Sequence, residues 1–187
     1  MNWQDINEQQ KESAKFNFDY GELLDQLLDK VSINPLVVEL GTFLGCSAVY
    51  MAAKLKGIRD PFRLYTVDTF DNYGKHKNFF PVALSNFKAC GLRDDIRVLA
   101  CRSWEASTFF DEHEVDLVWV DAGHDFVSAK ADLDAWHSRV KPGGILAGHD
   151  WSEAGVRLAV ERFCFTHSLT PNVWHPDQWA SWWFQIA

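Results

Sequence analysis

Apolar residues along the chain occur in short continuous runs that alternate with longer stretches of helical spacing. The clearest short runs are residues 36–40, 64–68, 96–101, 115–120 and 145–147. Short continuous apolar runs are typical of strands that are buried on both faces of a parallel sheet. Near the C-terminal end, residues 173–174 and 182–186 are predicted to form the last strands.

Between these runs, apolar residues recur every three or four positions, which predicts amphipathic helices. The first such stretch covers residues 20–31 and ends before the turn signal Asn34-Pro35. Pro142-Gly143-Gly144 is expected to end the helix that precedes the fifth strand. The other predicted helices cover residues 47–55, 80–90, 126–140 and 156–164.

The alternation of strands and helices favours an α/β fold, a Rossmann-like three-layer sandwich with a mostly parallel seven-stranded sheet. In such folds, ligands bind at the carboxyl ends of the strands. No repeat or linker is present, so residues 1–187 are expected to form a single domain, with residues 1–18 as a polar N-terminal extension. This extension and the exposed loop at residues 71–80 are the candidate lids.

The composition narrows the range of partners and compartments. The net charge is −8, from 18 Lys and Arg against 26 Asp and Glu, and no basic stripe is present to neutralise the phosphates of a nucleic acid. No apolar run reaches the roughly 20 residues that span a bilayer, and residues 1–15 lack the apolar core of a signal peptide. The four cysteines suggest no disulfide framework. We therefore expect a cytoplasmic protein without nucleic-acid or membrane partners.

A glycine-containing turn follows the first predicted strand. Its sequence is Glu39-Leu40-Gly41-Thr42-Phe43-Leu44-Gly45, and the helix after it directs free N–H groups toward the same place. The two glycines allow a tight turn and a close approach to a ligand, although a purely structural turn explains them equally well. The dinucleotide pattern G-x-G-x-x-G is not met, and the Gly74-Lys75 pair does not continue as a P-loop.

Acidic residues and histidines follow the later strands. Asp68 ends the second strand, where a carboxylate can accept hydrogen bonds from both ribose hydroxyls or cap the next segment. The tetrapeptide Ala-Gly-His-Asp occurs twice, at residues 122–125 and 147–150, after the fourth and fifth strands. Neighbouring strands would bring His124, His149 and nearby carboxylates to one cleft, where they could hold a divalent ion or supply a general base.

Together these motifs resemble those of class I S-adenosylmethionine-dependent methyltransferases. The matching segments are residues 39–47, Asp68, Ser103-Trp104, residues 121–124 and residues 142–150. The chain is most similar to the small-molecule O-methyltransferases, a group that includes catechol and macrolide sugar O-methyltransferases. The resemblance covers roughly residues 20–187 and depends on the order and spacing of the motifs, since no single motif is specific.

The resemblance implies a role for each matching residue. Gly41, Phe43 and Ser47 would cradle the methionine part of S-adenosylmethionine, and Glu39 would orient this turn. Asp68 would bind the ribose, and the two residues after the third strand would contact the adenine. The complete implied set of cofactor-binding residues is Glu39, Gly41, Thr42, Phe43, Gly45, Ser47, Asp68, Ser103, Trp104 and Asp121.

At the reacting end, the resemblance implies a catalytic base and a metal. His124 falls at the position of the base, and Asp121 lies near the methionine end as the second catalytic residue. Asp121, His149 and Asp150 fall at the positions of metal ligands. His149 stands where the usual residue is acidic, and magnesium prefers oxygen ligands. Manganese, iron or no metal must therefore be considered beside magnesium.

We therefore expect an enzyme that transfers the methyl group of S-adenosylmethionine to a small-molecule acceptor, with a hydroxyl oxygen as the expected target. One alternative is a nucleotide-dependent oxidoreductase on the same kind of sheet. Others are a methyltransferase fold with different metal-dependent chemistry, as in the related cephalosporin hydroxylases, and an interaction protein that uses its aromatic C-terminus. The sequence leaves open the identity of the acceptor and the oligomeric state, a homo-oligomer included.

Overall fold

A seven-stranded sheet lies at the centre of the computed structural model, which describes residues 1–14, 17–71, 79–174 and 179–187. In chain order the strands are β1 (Leu36–Leu40), β2 (Arg63–Asp68), β3 (Ile96–Ala100), β4 (Val115–Val120), β5 (Val140–Gly148), β6 (Asn172–Trp174) and β7 (Ser181–Gln185). Across the sheet their order is β3-β2-β1-β4-β5-β7-β6.

The first five strands are parallel to their neighbours, and β7 runs antiparallel to β5 and β6. β2 and β3 lie on one side of β1, whereas β4 and the later strands lie on the other side. Where the strand order reverses in this way, a parallel sheet opens a crevice at the carboxyl ends of its strands, here between β1 and β4. The predicted mostly parallel seven-stranded sheet is confirmed.

Helices cover both faces of the sheet. They are α1 (Trp3–Ala14), α2 (Gly21–Leu28), α3 (Cys46–Ile58), α4 (Phe79–Ala89), α5 (Ser103–Ala106), α6 (Phe126–His137) and α7 (Ala154–His167), with a 3₁₀ turn, Ser107–Phe109, after α5. Side chains of α1 to α4 form one hydrophobic core with the sheet, and those of α5 to α7 form a second core on the opposite face. No helix in the described parts of the chain is both long and apolar enough to cross a membrane.

The strands at the centre of the sheet are buried on both faces. In β4, Leu117 and Trp119 belong to the core formed with α1 to α4, and Val118 and Val120 belong to the opposite core. Every residue of β1 and β4 is buried. A strand that is buried on both faces needs apolar residues at consecutive positions, which explains why these strands were recognisable in the sequence.

The boundary between α6 and β5 differs from the prediction. The helix predicted to reach Val140 ends at His137, and β5 begins at Val140 rather than Ile145. The register between β4 and β5 shifts near the start of this strand, and Gly143 lies there with a φ of 79°. Since proline and glycine are tolerated at such irregularities, Pro142 and Gly143 extend the strand instead of preceding it.

The segment predicted as an N-terminal extension, residues 1–18, contains a packed helix. Ile6 of α1 is fully buried, and the ring of Trp3 lies 5.3 Å from that of Phe18. The side chain of Asn7 bonds to both the N–H and the carbonyl group of Phe18. This helix was not predicted, because few apolar residues mark its buried face. Its contacts fix Phe18, which comes directly before residues of the site.

The second candidate lid was the loop at residues 71–80. Most of it, residues 72–78, lies outside the described residues, and this expectation stays a prediction. Asp71 is exposed, and α4 begins at Phe79.

Candidate active site

The loop between β1 and α3 packs tightly against the end of β4. Gly41 has a φ of 96°, a conformation that favours glycine. A Cβ atom at Gly41 would lie only 1.8 Å from the carbonyl oxygen of Asp121. Gly45, with a φ of 84°, precedes α3, whose first turn has no side-chain cap. The N–H groups of this turn are thus available to a negatively charged group of a ligand.

Glu39 is fully buried beneath this loop and connects it to β2. Its two carboxyl oxygens accept hydrogen bonds from the hydroxyls of Ser47 and Thr66. The hydroxyls of Thr66 and Thr42 are also bonded, at 2.5 Å. Burial raises the pKa of the Glu39 carboxyl to about 8. The side chains of Glu39, Thr42 and Ser47 therefore bond to one another and to Thr66 inside the protein, where they shape the loop.

Asp68 connects the end of β2 with the same loop. One of its oxygens accepts hydrogen bonds from the N–H groups of Thr42 and Phe43 at 2.9 and 3.0 Å. The other oxygen accepts one from the N–H group of Phe70 at 2.8 Å. Because a carboxylate offers about four lone-pair sites, these bonds leave one acceptor site for a ligand hydroxyl.

Ser103 and Trp104 begin α5, just beyond the carboxyl end of β3. The hydroxyl of Ser103 donates to the carboxylate of Asp132, and its carbonyl oxygen accepts a hydrogen bond from the indole of Trp136 at 3.1 Å. Trp104 is 39% exposed, with the guanidinium of Arg102 5.4 Å from its ring centre. Trp104 is therefore the more accessible of the two residues expected near the adenine.

A cluster of charged side chains lies where β4 and β5 end. His149 is at its centre, with Nε2 3.5 Å from Asp19 Oδ1. Its Nδ1 lies 3.4 Å from Asp150 Oδ1 and 4.0 Å from Asp121 Oδ1. Both ring nitrogens thus face carboxylates. We call Asp19, Asp121, His149 and Asp150 the His149 cluster.

His124 lies beside the His149 cluster and is more open to solvent. Its Nε2 is 3.0 Å from Asp150 Oδ2, and 40% of its side chain is exposed, against 10% for Asp150. The hydrogen bond to Asp150 raises the pKa of His124, and burial opposes this shift only in part. The structure therefore shows an accessible histidine whose ring is positioned by a buried carboxylate.

The opposite charges within the cluster stabilise each other. Burial lowers the pKa of His149, but the carboxylates of Asp150, Asp19 and Asp121 around its ring raise it to about 10 overall. Burial also raises the pKa of Asp150, but hydrogen bonds from His124 and His149 more than reverse this effect and hold it well below its usual value. At neutral pH, His149 is therefore a cation and Asp150 an anion.

Tyr20, which the sequence placed only at the start of a helix, is also part of the site. Its hydroxyl donates to Asp121 Oδ2 at 2.6 Å, and its ring centre lies 4.8 Å from that of Trp119 and 4.5 Å from that of His149. Burial and the charge of Asp121 raise the pKa of Tyr20 well above its usual value, so it remains a donor. Sequence reasoning missed Tyr20 and Asp19, because they belong to no motif and lie about 100 positions before Asp121.

Three residues offer atoms at a spacing that metal ligands can have. One atom each of Asp121, His124 and Asp150 lies within 4.8 Å of the other two, whereas the sequence had suggested His149 in place of His124. The bonds of these atoms do not fit a metal, because Asp121 Oδ2 accepts from Tyr20 and Asp150 lies between two histidine rings. A ring nitrogen of His149 that donates a proton to a carboxylate has no lone pair for a metal.

Comparisons with known proteins agree with this fold. Residues 38–151, more than half of the chain, match the model of a family described as a methyltransferase domain. No curated protein sequence matches the chain. Among solved structures, the O-methyltransferase TomG from Streptomyces achromogenes, in complex with S-adenosylmethionine, is similar with a TM-score of 0.72. It is 17% identical, and the similarity covers 99% of this chain and 89% of TomG.

Two further solved structures have the same fold. The O-methyltransferase NovP is similar with a TM-score of 0.72 and 16% identity, over 89% of this chain and 79% of NovP. CalS11, a TDP-rhamnose 3'-O-methyltransferase, is similar with a TM-score of 0.65 and 17% identity, over 88% of this chain and 76% of CalS11. The match over residues 38–151, more than half of the chain, shows that the chain belongs to this family of methyltransferase domains.

Proposed function

We propose that the protein transfers the methyl group of S-adenosylmethionine to a hydroxyl oxygen of a small-molecule acceptor. The observation that carries the proposal is the pair of His124 and Asp150 beside the carboxyl ends of β4 and β5, joined at 3.0 Å. The His124 side chain is 40% exposed, so an acceptor can reach it. A histidine held in this way is suited to take a proton from a hydroxyl group.

The residues around the loop after β1 fit the cofactor by their chemistry. The uncapped first turn of α3, next to Gly45, suits the carboxylate of the methionine part. The unused acceptor site of Asp68 suits a ribose hydroxyl, and the exposed ring of Trp104 suits the adenine. Gly41 and Phe43 would supply the loop backbone. When bound, S-adenosylmethionine supplies a methyl group that is activated by its sulfonium sulfur.

In the proposed reaction, His124 takes the proton of the acceptor hydroxyl as the acceptor oxygen forms a bond to the methyl carbon. The carbon–sulfur bond breaks, its electron pair stays on sulfur, and the products are a methyl ether and S-adenosylhomocysteine. Asp150 stabilises the protonated ring of His124. Asp121 connects the cofactor loop, through its backbone next to Gly41, with the other residues of the His149 cluster. The largest contribution of the protein is to hold the two reactants in line.

The names of the structural relatives support an oxygen acceptor. TomG and NovP are O-methyltransferases, and CalS11 acts on a hydroxyl of a nucleotide-linked sugar. The competing functions lose support from the structure. The dinucleotide glycine pattern is missing from the loop after β1, and Trp182 of the aromatic C-terminal segment is only 1% exposed within the sheet. Because the substrate in the name of CalS11 is a sugar, sugar hydroxyls are the first acceptors to test.

Two further parts of the proposal concern metal and location. A divalent metal has no step in the proposed reaction, because the protein's own side chains already occupy the oxygens of Asp121 and Asp150 that it would need. We also propose a cytoplasmic location without nucleic-acid partners. All four cysteines are free, as a reducing compartment favours, and the net charge of −8 disfavours binding to phosphates.

The proposed function is tested with purified protein, labelled S-adenosylmethionine and a panel of sugars, catechols and hydroxy acids. We expect mass spectrometry to locate the transferred methyl group on an oxygen. Tryptophan fluorescence should show binding of S-adenosylhomocysteine and no binding of NAD. The reverse binding pattern, or a methyl group on carbon or nitrogen, would contradict the proposal.

The role of His124 is tested with His124→Ala. This variant should bind S-adenosylhomocysteine as the unchanged protein does and should lose about 100-fold in kcat, since general-base catalysis contributes factors of this size. The matched control is His167→Ala at the end of α7, on the face of the sheet covered by α5 to α7, which should change neither quantity. Equal turnover of His124→Ala and the unchanged protein would exclude His124 as the base.

A further inference from the structure

The His149 cluster has an imidazole ring at its centre and carboxylates around it. The side chains of Asp19 and Asp150 are about nine-tenths buried, with 11% and 10% exposed. Buried carboxylates require a partner of opposite charge. In this cluster the ring of His149 faces all three carboxylates, those of Asp19, Asp121 and Asp150, at 3.4 to 4.0 Å.

We propose that the ring of His149 occupies the place between the carboxylates of Asp19, Asp121 and Asp150 that a divalent cation would need, so that the enzyme works without a metal. The inference concerns the same site as the proposed function and rests on it. Metal binding can nevertheless be measured without turnover, which separates the two.

Asp19 is the first observation that supports this proposal. Neither of its oxygens has a hydrogen-bond donor among the residues that the structure describes, and Nε2 of His149 is likewise buried without such a bond. The two atoms lie 3.5 Å apart, as expected for an ion pair. Asp19 comes from the segment before α2, whereas His149 follows β5. The chain thus supplies a third carboxylate to His149 from outside the strand ends.

The second observation is that the remaining carboxylate oxygens are already in use. Oδ2 of Asp121 accepts the hydroxyl of Tyr20 at 2.6 Å, and Oδ2 of Asp150 lies 3.0 Å from the ring of His124. A metal ion would have to displace both contacts. It would also have to enter the space between the three carboxylates that the ring of His149 already fills. The protein's own side chains thus satisfy the charges of the cluster.

Manganese is the probe for this proposal, because it accepts both nitrogen and oxygen ligands. We expect calorimetry to show no specific Mn²⁺ binding by the unchanged protein. His149→Asp replaces the ring with a fourth carboxylate and should bind Mn²⁺ at least about tenfold more tightly than the unchanged protein. The matched control is His113→Asp, which makes the same substitution just before the amino end of β4, whereas the site lies at the carboxyl ends of the strands. It should bind Mn²⁺ no better than the unchanged protein.

Thermal unfolding provides a second measurement that does not depend on His149→Asp being stable alone. Mn²⁺ should raise the Tm of His149→Asp and leave the Tm values of the unchanged protein and His113→Asp unaltered.

The unchanged protein should also bind S-adenosylhomocysteine equally well with and without a chelator. The proposal is overturned if the unchanged protein binds Mn²⁺ as tightly as His149→Asp, if His149→Asp gains no affinity, or if the chelator weakens binding of S-adenosylhomocysteine. Failure to bind S-adenosylhomocysteine at all would instead contradict the proposed function.

Discussion

At the scale of single residues, the surroundings of a buried carboxyl group decide its charge. Glu39 accepts hydrogen bonds from two hydroxyl groups, and burial raises its pKa to about 8. Asp116 is also buried, but hydrogen bonds from Lys141, Ser32 and the N–H group of Leu36 together outweigh the effect of burial and lower its pKa. The two residues belong to β1 and β4 of the same sheet. The opposite shifts of their pKa values therefore follow from their hydrogen-bond partners.

Glu39→Gln should change how stability depends on pH. In the unchanged protein, Glu39 stays protonated when folded but ionises near pH 4.5 when unfolded, so the free energy of unfolding falls as pH rises from about 4.5 to 8. This contribution amounts to about 3 kcal/mol between pH 5 and pH 8. Glu39→Gln should lack this contribution, and urea unfolding at both pH values measures the difference.

Asp116→Asn is the control, because it should destabilise the protein equally at both pH values. A parallel pH dependence of Glu39→Gln and the unchanged protein would refute the prediction.

Asp150→Asn should change the pH dependence of turnover. The base must be neutral, and the bond to Asp150 raises the pKa of His124 above its usual 6.5. The acid limb of the kcat profile should therefore have its midpoint above pH 6.5, and Asp150→Asn should move it downward. Asp134→Asn, on the exposed side of α6, should leave it in place. An unmoved midpoint in Asp150→Asn would show that this pair does not set the protonation of the base.

Which residues of the site were predictable depended on where they lie in the chain. Asp68 ends β2, and Asp121 and His124 come within four residues of the end of β4, so the apolar pattern of these strands located all three. Asp19 and Tyr20 precede α2 and meet their partners only in the folded structure. A sequence pattern records neighbours along the chain, and it holds no information on a contact of this kind.

At the scale of elements, the turn from β1 into α3 determines how close the two halves of the sheet can come. Gly41→Ala should be strongly destabilising, by about 2 kcal/mol or more, because Gly41 has a positive φ and its Cβ would overlap the carbonyl of Asp121. Binding of S-adenosylhomocysteine should weaken as well.

Gly57→Ala is the control within α3, where nothing lies within 4 Å of an added Cβ. It should stabilise the protein by about 0.5 kcal/mol, as measured by urea unfolding. Equal stabilities of both variants would contradict the assigned role of Gly41.

The elements themselves were predicted to different degrees for physical reasons. Central strands such as β1 and β4 are buried on both faces, so their apolar runs have no competing interpretation. α1 buries only a narrow face, and most of its residues are polar. The pattern of apolar residues therefore did not predict this helix. Pro142 and Gly143 indicated the end of a helix, but their position in the irregular start of β5 depends on pairing with β4, a contact that local sequence does not encode.

At the scale of the whole molecule, the candidate site joins the loop after β1, the end of β2 and the end of β4. A ligand that contacts all three should stabilise the folded chain. S-adenosylhomocysteine at 100 times its Kd should add about 2.7 kcal/mol and raise the Tm by roughly 5–10 °C, as measured by differential scanning fluorimetry. NAD at the same concentration should have no effect. Asp68→Ala should reduce the shift, because the loop loses its anchor on β2. An equal shift in Asp68→Ala would place the ligand elsewhere.

The hydrogen bond between Tyr20 and Asp121 joins residues 101 positions apart, and this has a consequence for synthesis of the chain. Asp19 and Tyr20 leave the ribosome long before the strands that carry their partners. During that interval their polar groups form hydrogen bonds with water. The helices α1 to α4 cannot yet pack against β4 or β5. Ligand can therefore contact all three parts of the candidate site only after Asp121, and with it about two-thirds of the chain, has been synthesised.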